Sequence, residues 1–235
     1  MAGHSKRYKQ TAEKVDRTVQ YTPAEAIQLV KETSTAKFDE TVEVHVRLGV
    51  DPAKGEQQVR GTVVLPHGTG KVPRVAVFAE GEAAKQAQDA GADRVGAEDL
   101  VTEIEQGWDD FDILVAQPQL MRIVGRLGKK LGPRMPSKKA GTITQDVAEV
   151  VAELKSGRVE FRIDRGGVIH APVGRVSFTE QQLLENLITL LDAIIAARPA
   201  GVSGRYIRSI TLTSTMGPGV KIDVDKALSA LSKAA

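Results

Sequence analysis

The chain has 235 residues, 41% hydrophobic and 26% charged, with a formal net charge of +2. Such values describe an ordinary soluble globular protein, long enough for one large domain or two small ones with a core each. The absence of cysteine excludes disulfides, thiol catalysis and thiolate zinc sites, and no apolar run reaches the roughly 18 residues of a membrane-spanning helix.

In chain order, the N-terminal MAGHSKRYKQ is basic but lacks the apolar stretch of a signal peptide, so a cytoplasmic chain without membrane attachment is expected. Thr22-Pro23-Ala24-Glu25 predicts a helix start: a threonine cap, proline at the first helical position and acid in the first turn. From Val42 to Val50 apolar residues alternate with Glu43, His45, Arg47 and Gly49, which predicts a half-buried strand. A second strand is expected from Val59 to Leu65. The run Pro66-His67-Gly68-Thr69-Gly70-Lys71-Val72-Pro73 then punctuates the chain.

Beyond it the style changes. Arg74–Phe78 and Phe111–Ala116 read as short buried strands. Helices are expected at Glu82–Ala90, Ala97–Gln106, about Pro118–Lys130 and Asp146–Lys155. Strands alternating with helices indicate a parallel α/β unit. From Arg158 the alternating style returns, through Val159, Phe161 and Ile163, the Arg165-Gly166-Gly167 turn and Val168-Ile169-His170. A long helix spans Thr179–Ala197. Strands at Tyr206–Leu212 and Val220–Val224 flank the loop Ser214–Gly219. The pattern predicts an α/β protein in which an α+β domain made from both termini (1–67 plus 158–235) carries an inserted Rossmann-like three-layer α/β/α domain (68–157). Two strand-like connections joining them form a hinge; one continuous sheet is the alternative.

Charge is sorted along the chain. Glu80–Asp112 holds eleven acids against Lys85 and Arg94, whereas Met121–Thr142 holds seven basic side chains (Arg122, Arg126, Lys129, Lys130, Arg134, Lys138, Lys139) and no acid. A glycine-spaced cationic strip suits a polyanion. It also suits a solvated surface, or neutralisation within the fold. With only 4% aromatic residues, rows of stacking platforms for single-stranded bases are not expected.

The chemical motifs point away from catalysis. Gly68-Thr69-Gly70-Lys71 lacks phosphate-loop spacing and any following hydroxyl for magnesium. Asp109, Asp110 and Asp112 invite a phosphohydrolase reading, but they precede their strand, and sites in open parallel sheets lie beyond the strands' carboxyl ends. His4, His45, His67 and His170 have no metal-like spacing, and no nucleophile has a plausible base. No catalytic residue, metal or cofactor is expected. Ser214-Thr215-Met216-Gly217-Pro218-Gly219 combines hydroxyls, a flexible thioether and a tight turn. It reads either as a hairpin turn or as a surface for phosphate and ribose.

Five stretches carry a family resemblance: Lys37–Glu43, Arg60–Thr62 running to Leu65–Gly68, Gly132–Arg134 with Lys139–Thr142, His170–Gly174, and Thr215–Pro218. On them the chain resembles the family of the large-subunit ribosomal protein numbered one, the protein of the ribosome's L-one stalk. The resemblance implies a two-domain, non-enzymatic protein, monomeric off the ribosome. Its terminal domain binds the stalk region of large-subunit rRNA, and the stalk helps deacylated tRNA leave the exit site. It further implies binding to the protein's own mRNA, at a mimic of the rRNA site, to repress translation. A general RNA chaperone that binds unrelated duplexes is the non-specific alternative. Carried over by position, Lys37 contacts phosphate and Phe38 packs on a sugar-base surface. Thr41 and Ser209 bond ribose or phosphate, and Thr215, Met216 and Gly217 make the tight loop contact. Arg165 and His170 are further members. The run Gly132–Lys139 departs from the family's Gly-Pro-Arg-Gly-Leu-Met-Pro-Asn-Pro-Lys by being two residues shorter, with lysine in place of a proline. The basic strip is therefore expected to make looser contacts, to tRNA or a second rRNA segment.

Overall fold

The structure, a computed structural model, describes the backbone of residues 5–234 and their side chains except those of 139 and 232–234. His4 and the first residues of the basic N-terminus lie outside the described residues. In chain order the elements are α1 (Lys6–Ala12), α2 (Pro23–Thr33), β1 (Thr41–Leu48), β2 (Arg60–Val64), β3 (Val75–Phe78), α3 (Gly81–Asp89), β4 (Arg94–Gly96), α4 (Glu98–Glu105) and β5 (Ile113–Ala116). They continue as α5 (Met121–Val124), α6 (Gly128–Leu131), α7 (Val147–Ser156), β6 (Arg158–Arg162), β7 (Val168–Arg175), α8 (Glu180–Ala196), β8 (Ile207–Ser214), β9 (Val220–Ile222) and α9 (Val224–Ala234). The chain forms two compact units, one from the residues up to Gly70 with those from Val159 onward, the other from Lys71 to Arg158.

The first unit is built on a four-stranded antiparallel sheet in the order β7-β1-β8-β9. Val42, Val44, Val46 and Leu48 of β1 point into the core with Ile169, Ala171 and Val173 of β7 and Ile210 and Leu212 of β8. Ala26, Ile27 and Val30 of α2 and Leu183, Leu187, Leu190, Leu191 and Ile194 of α8 belong to the same core. Both helices start where the sequence marks them: Thr22 with Glu25, and Thr179 with Gln182, form reciprocal capping boxes that satisfy the first free backbone N–H groups. The opposite face of the sheet carries Glu43, His45, Arg47, His170, Ser209, Thr211 and Thr213, all at least partly exposed. One packed and one solvated face is the usual solution for an antiparallel sheet. β2 does not join this sheet but pairs with β6 in a separate two-stranded ladder.

In the second unit the parallel strands run in the order β4-β3-β5. Every residue of β3 is buried, because the strand feeds two cores. Val75 and Val77 pack with Val147, Val151 and Leu154 of α7, while Ala76 and Phe78 pack with Leu100 and Ile104 of α4 and Val124 and Leu127 beyond β5. The unit is a three-layer α/β/α arrangement.

The helix expected from Pro118 to Lys130 is broken into 3-10 turns (Pro118–Leu120, Gly125–Leu127, Gly132–Arg134) around the short α5 and α6. Glycines at 125, 128 and 132 weaken a helix, and Gly132 leaves it with φ +52. Leu120, Val124, Leu127 and Leu131 nevertheless remain buried, so the apolar stripe survives the breaks. The strand expected to reach Val224 stops at Ile222 and gives way to α9, which the sequence does not announce, and the same holds for α1 and the short edge strand β4. The local signal for α9 is Asp223, whose carboxylate accepts the N–H groups of Asp225 and Lys226.

Candidate nucleic-acid interface

At one end of the four-stranded sheet, two loops meet: residues 34–40, entering β1, and residues 215–219, between β8 and β9. Thr41 and Thr215 hold each other by three hydrogen bonds. The Thr41 N–H donates to Thr215 Oγ1 (3.1 Å), Thr215 Oγ1 donates to the Thr41 carbonyl (3.3 Å), and the Thr215 N–H donates to that carbonyl (3.1 Å). The Gly217 N–H closes the turn on the Ser214 carbonyl at 3.1 Å. Thr213 Oγ1 lies 2.9 Å from the same carbonyl and 3.3 Å from that of Gly217. The turn is thus ordered from within.

Beneath the loops lies Glu40, only 1% exposed. One carboxylate oxygen accepts from Ser34 Oγ (2.6 Å) and the Ala36 N–H (3.1 Å), the other from the Met216 N–H (2.8 Å). Burial pushes the carboxyl pKa up, but the bonds from Ser34, Met216 and Ala36 outweigh it and hold the group below its ordinary 4.5. The buried Ser214 hydroxyl also acts on this charge, although it has no partner at hydrogen-bonding geometry. Above Glu40 stand two large apolar side chains in the open, Phe38 at 55% and Met216 at 49% exposure, with Lys37 exposed beside them.

The remaining site residues spread along the open face. His170 lies mid-strand opposite His45, and Ser209 pairs with Arg47 toward the far end of β1. Arg165 sits in the tight turn beyond that end, where the Asp164 carboxylate accepts the N–H groups of Gly166 and Val168 at 2.8 Å. The structure therefore gathers Lys37, Phe38, Thr41, Thr215, Met216 and Gly217 at one end. Ser209, six strand residues from Thr41 in register and hence about 20 Å away, and Arg165 do not join them. Glu40 is not legible from sequence as a site residue, and His45 and Arg47 read there only as the polar side of their strand. The signal for Glu40 was an acid directly before a strand's first residue, which in isolation looks like a solvated turn.

The basic strip of the second unit is not uniformly available. Arg134 donates to the carbonyls of Asp109 and Phe111 (3.2 Å each) and lies over the Phe111 ring, and Lys130 bonds the Glu105 carbonyl. Arg122, Arg126, Lys129 and Lys138 are exposed. The aspartates of the phosphohydrolase reading are tied into ion pairs. Asp112 accepts from Lys71 Nζ and the Arg74 N–H at 3.0 Å each, and Asp110 pairs with Arg74. The Arg74 N–H and the Lys71 side chain hold the Asp112 carboxyl below its usual value, which suits a permanent anion and not an acid catalyst. Among the described residues no group of histidine and acid side chains could hold a metal ion. No described helix is long and apolar enough to cross a membrane. Gly68 and Gly70 both adopt positive φ, so the Gly-Thr-Gly-Lys run is a turn that needs glycine for its backbone.

A family model described as the Ribosomal protein L1p/L10e family matches residues 30–218. The chain is 58% identical over 221 residues to the Large ribosomal subunit protein uL1 of Thermobifida fusca (strain YX), covering 93% of this chain and 94% of that protein.

Proposed function

Because the chain belongs to the Ribosomal protein L1p/L10e family, it is a non-enzymatic structural constituent of the large ribosomal subunit, and we propose that its terminal-derived unit docks on the stalk rRNA of that subunit through the clipped loop pair and the open sheet face. The observation that carries this reading is the pair of exposed apolar side chains, Phe38 and Met216, on two loops joined at the end of a polar sheet. Exposed apolar groups next to hydroxyls and a lysine are what an RNA surface needs: a face to cover a base or sugar, donors for phosphate and ribose, and a cation. Thr41 and Ser209 supply hydroxyls, Thr215, whose proton goes to the Thr41 carbonyl, keeps a lone pair for a ribose 2′-hydroxyl, Gly217 permits close approach, and His170 and the turn residue Arg165 extend the surface along and beyond β7. Residues 68–157 act as the inserted part, whose exposed Arg122, Arg126 and Lys129 meet tRNA or a second rRNA segment more loosely. In this reading the protein helps deacylated tRNA leave the exit site, acts as a monomer off the ribosome, and represses its own mRNA at a mimic of the rRNA site.

The test is the affinity for a stalk rRNA fragment beside an unrelated duplex of equal length, across a salt series. A stalk preference that persists at high salt supports specific docking. Equal and steeply salt-dependent binding of both RNAs means that only the basic strips act, and the assigned surface falls.

A further inference from the structure

We infer that Glu40 is a positioning residue for RNA recognition: its buried carboxylate clips the loop that carries Lys37 and Phe38 to the loop that carries Thr215, Met216 and Gly217. The inference rests on the RNA-binding reading above. Sequence places Glu40 and Met216 176 positions apart, yet a single carboxylate spans both loops. Each of its oxygens serves a different loop, Oε1 the 34–36 segment and Oε2 the Met216 backbone. The 34–40 loop is also tied to the segment after β7, where Ser177 donates to the Asp39 carboxylate, but the hydrogen bonds that join it to the 215–219 loop are those of Glu40 and of the Thr41–Thr215 pair, so the distance between Phe38 and Met216 depends on these.

Glutamine makes the point chemically. A carboxylate accepts at both ends, whereas an amide has one oxygen and one NH2. In Glu40→Gln the NH2 must face either the Met216 N–H or the Ala36 N–H, donor against donor. One loop is therefore released, although size and burial are preserved. Lost bonds to a buried charged acceptor are among the costlier hydrogen bonds to remove. The charge itself is not used to attract RNA, since the group is inside and anionic. Its role is geometric, because a recognition group held in place loses less freedom on binding.

The experiment is a double-mutant cycle in the full chain, with stalk-rRNA affinity as readout for wild type, Glu40→Gln, Met216→Ala and the double variant, and amide exchange measured alongside. Glu40→Gln is expected to weaken binding about 10-fold. Its effect should shrink in the Met216→Ala background, because positioning then serves one contact fewer. Exchange should quicken at Ala36 or Met216 while the β1 and β8 amides stay protected. An effect that simply adds to that of Met216→Ala, or no effect at all while Met216→Ala weakens binding, overturns the clip and leaves the RNA surface standing. If Met216→Ala is itself silent, Met216 is no contact and the clip said to position it falls. Should Glu40→Gln not fold, Ser34→Ala removes a single donor to the same oxygen and takes its place in the cycle. An expected loss of about 3-fold, again coupled to Met216, supports the clip, and additivity overturns it.

Discussion

Nδ1 of His45 lies 2.7 Å from Nδ1 of His170 across the β1–β7 pair, with the rings edge to face at 4.9 Å between centroids. A contact this short needs one N–H and one lone pair, so the facing nitrogens share a single proton. Asp164, 3.4 Å from Nε2 of His170, favours a proton on that nitrogen, which leaves His170 Nδ1 as the acceptor and His45 as the donor. Burial first, and then the neighbouring His170, hold His45 below its ordinary 6.5, with Glu43 opposing.

The sign of the pH dependence follows. Below 6.5 the unfolded chain takes up a proton at His45 before the folded chain does, so stability is full above that value and falls as the pH drops through it. Glu40, lowered from 4.5, adds a loss of the same sign only at still lower pH. Urea unfolding of wild type and His45→Gln between pH 7 and about 5 checks this, with a flatter profile expected for the variant. Parallel profiles would show that the pair carries no linkage.

Met216→Ala is expected to weaken stalk-RNA binding by roughly 1–3 kcal/mol, the size of one specific contact. The melting temperature should hardly move, because the side chain is half exposed and packs on little of the protein. Gly217→Val should act in the same direction for another reason. A Cβ at Gly217 meets Ser214 Oγ at 2.5 Å, so either that buried hydroxyl or the loop must shift. Unchanged affinity in both variants removes the loop from the interface.

Lys37→Ala should lower the slope of log affinity against log salt by about one unit, as loss of one phosphate contact does. Binding isotherms at four or more salt concentrations measure it. An unaltered slope means that Lys37 does not touch the RNA backbone.

Asn186 is a fully buried polar side chain on α8. Its oxygen accepts from the His67 N–H (3.1 Å), and its NH2 donates to the carbonyls of Gly68 (2.9 Å) and Val173 (2.8 Å). It therefore fixes the segment after β2 to β7. Asn186→Ala strands these backbone groups and should cost roughly 2–4 kcal/mol in denaturant unfolding, from the loss of several buried hydrogen bonds. A cost below about 1 kcal/mol would mean that water replaces the amide.

Much of this molecule was legible residue by residue. The alternation from Val42 to Leu48 fixed β1 and its inward face, because side chains on a strand point alternately to its two sides whatever lies beyond. Thr22 marked a helix start, because a cap acts over three residues. The change to buried, unalternating strands announced the parallel α/β unit, since a strand covered on both faces has no polar side. The resemblance pointed to Thr215–Gly217 and Phe38 as contact residues, and the fold leaves Phe38 and Met216 exposed at one end of the sheet.

What the sequence could not decide are relations between distant segments. Nothing near Glu40 indicates that its second oxygen meets the Met216 backbone, and nothing near His45 indicates His170, 125 positions away. Both follow from the register of β1 against β8 and β7, a property of strand pairs and not of either strand alone. The seven basic residues of the strip were visible, but not that Arg134 and Lys130 turn back onto the backbone of the acidic stretch. Local periodicity is set by backbone geometry and can be read within a few residues. The partner of a buried charge or a surface cation is set by which segments the core brings side by side, and only the folded chain specifies that.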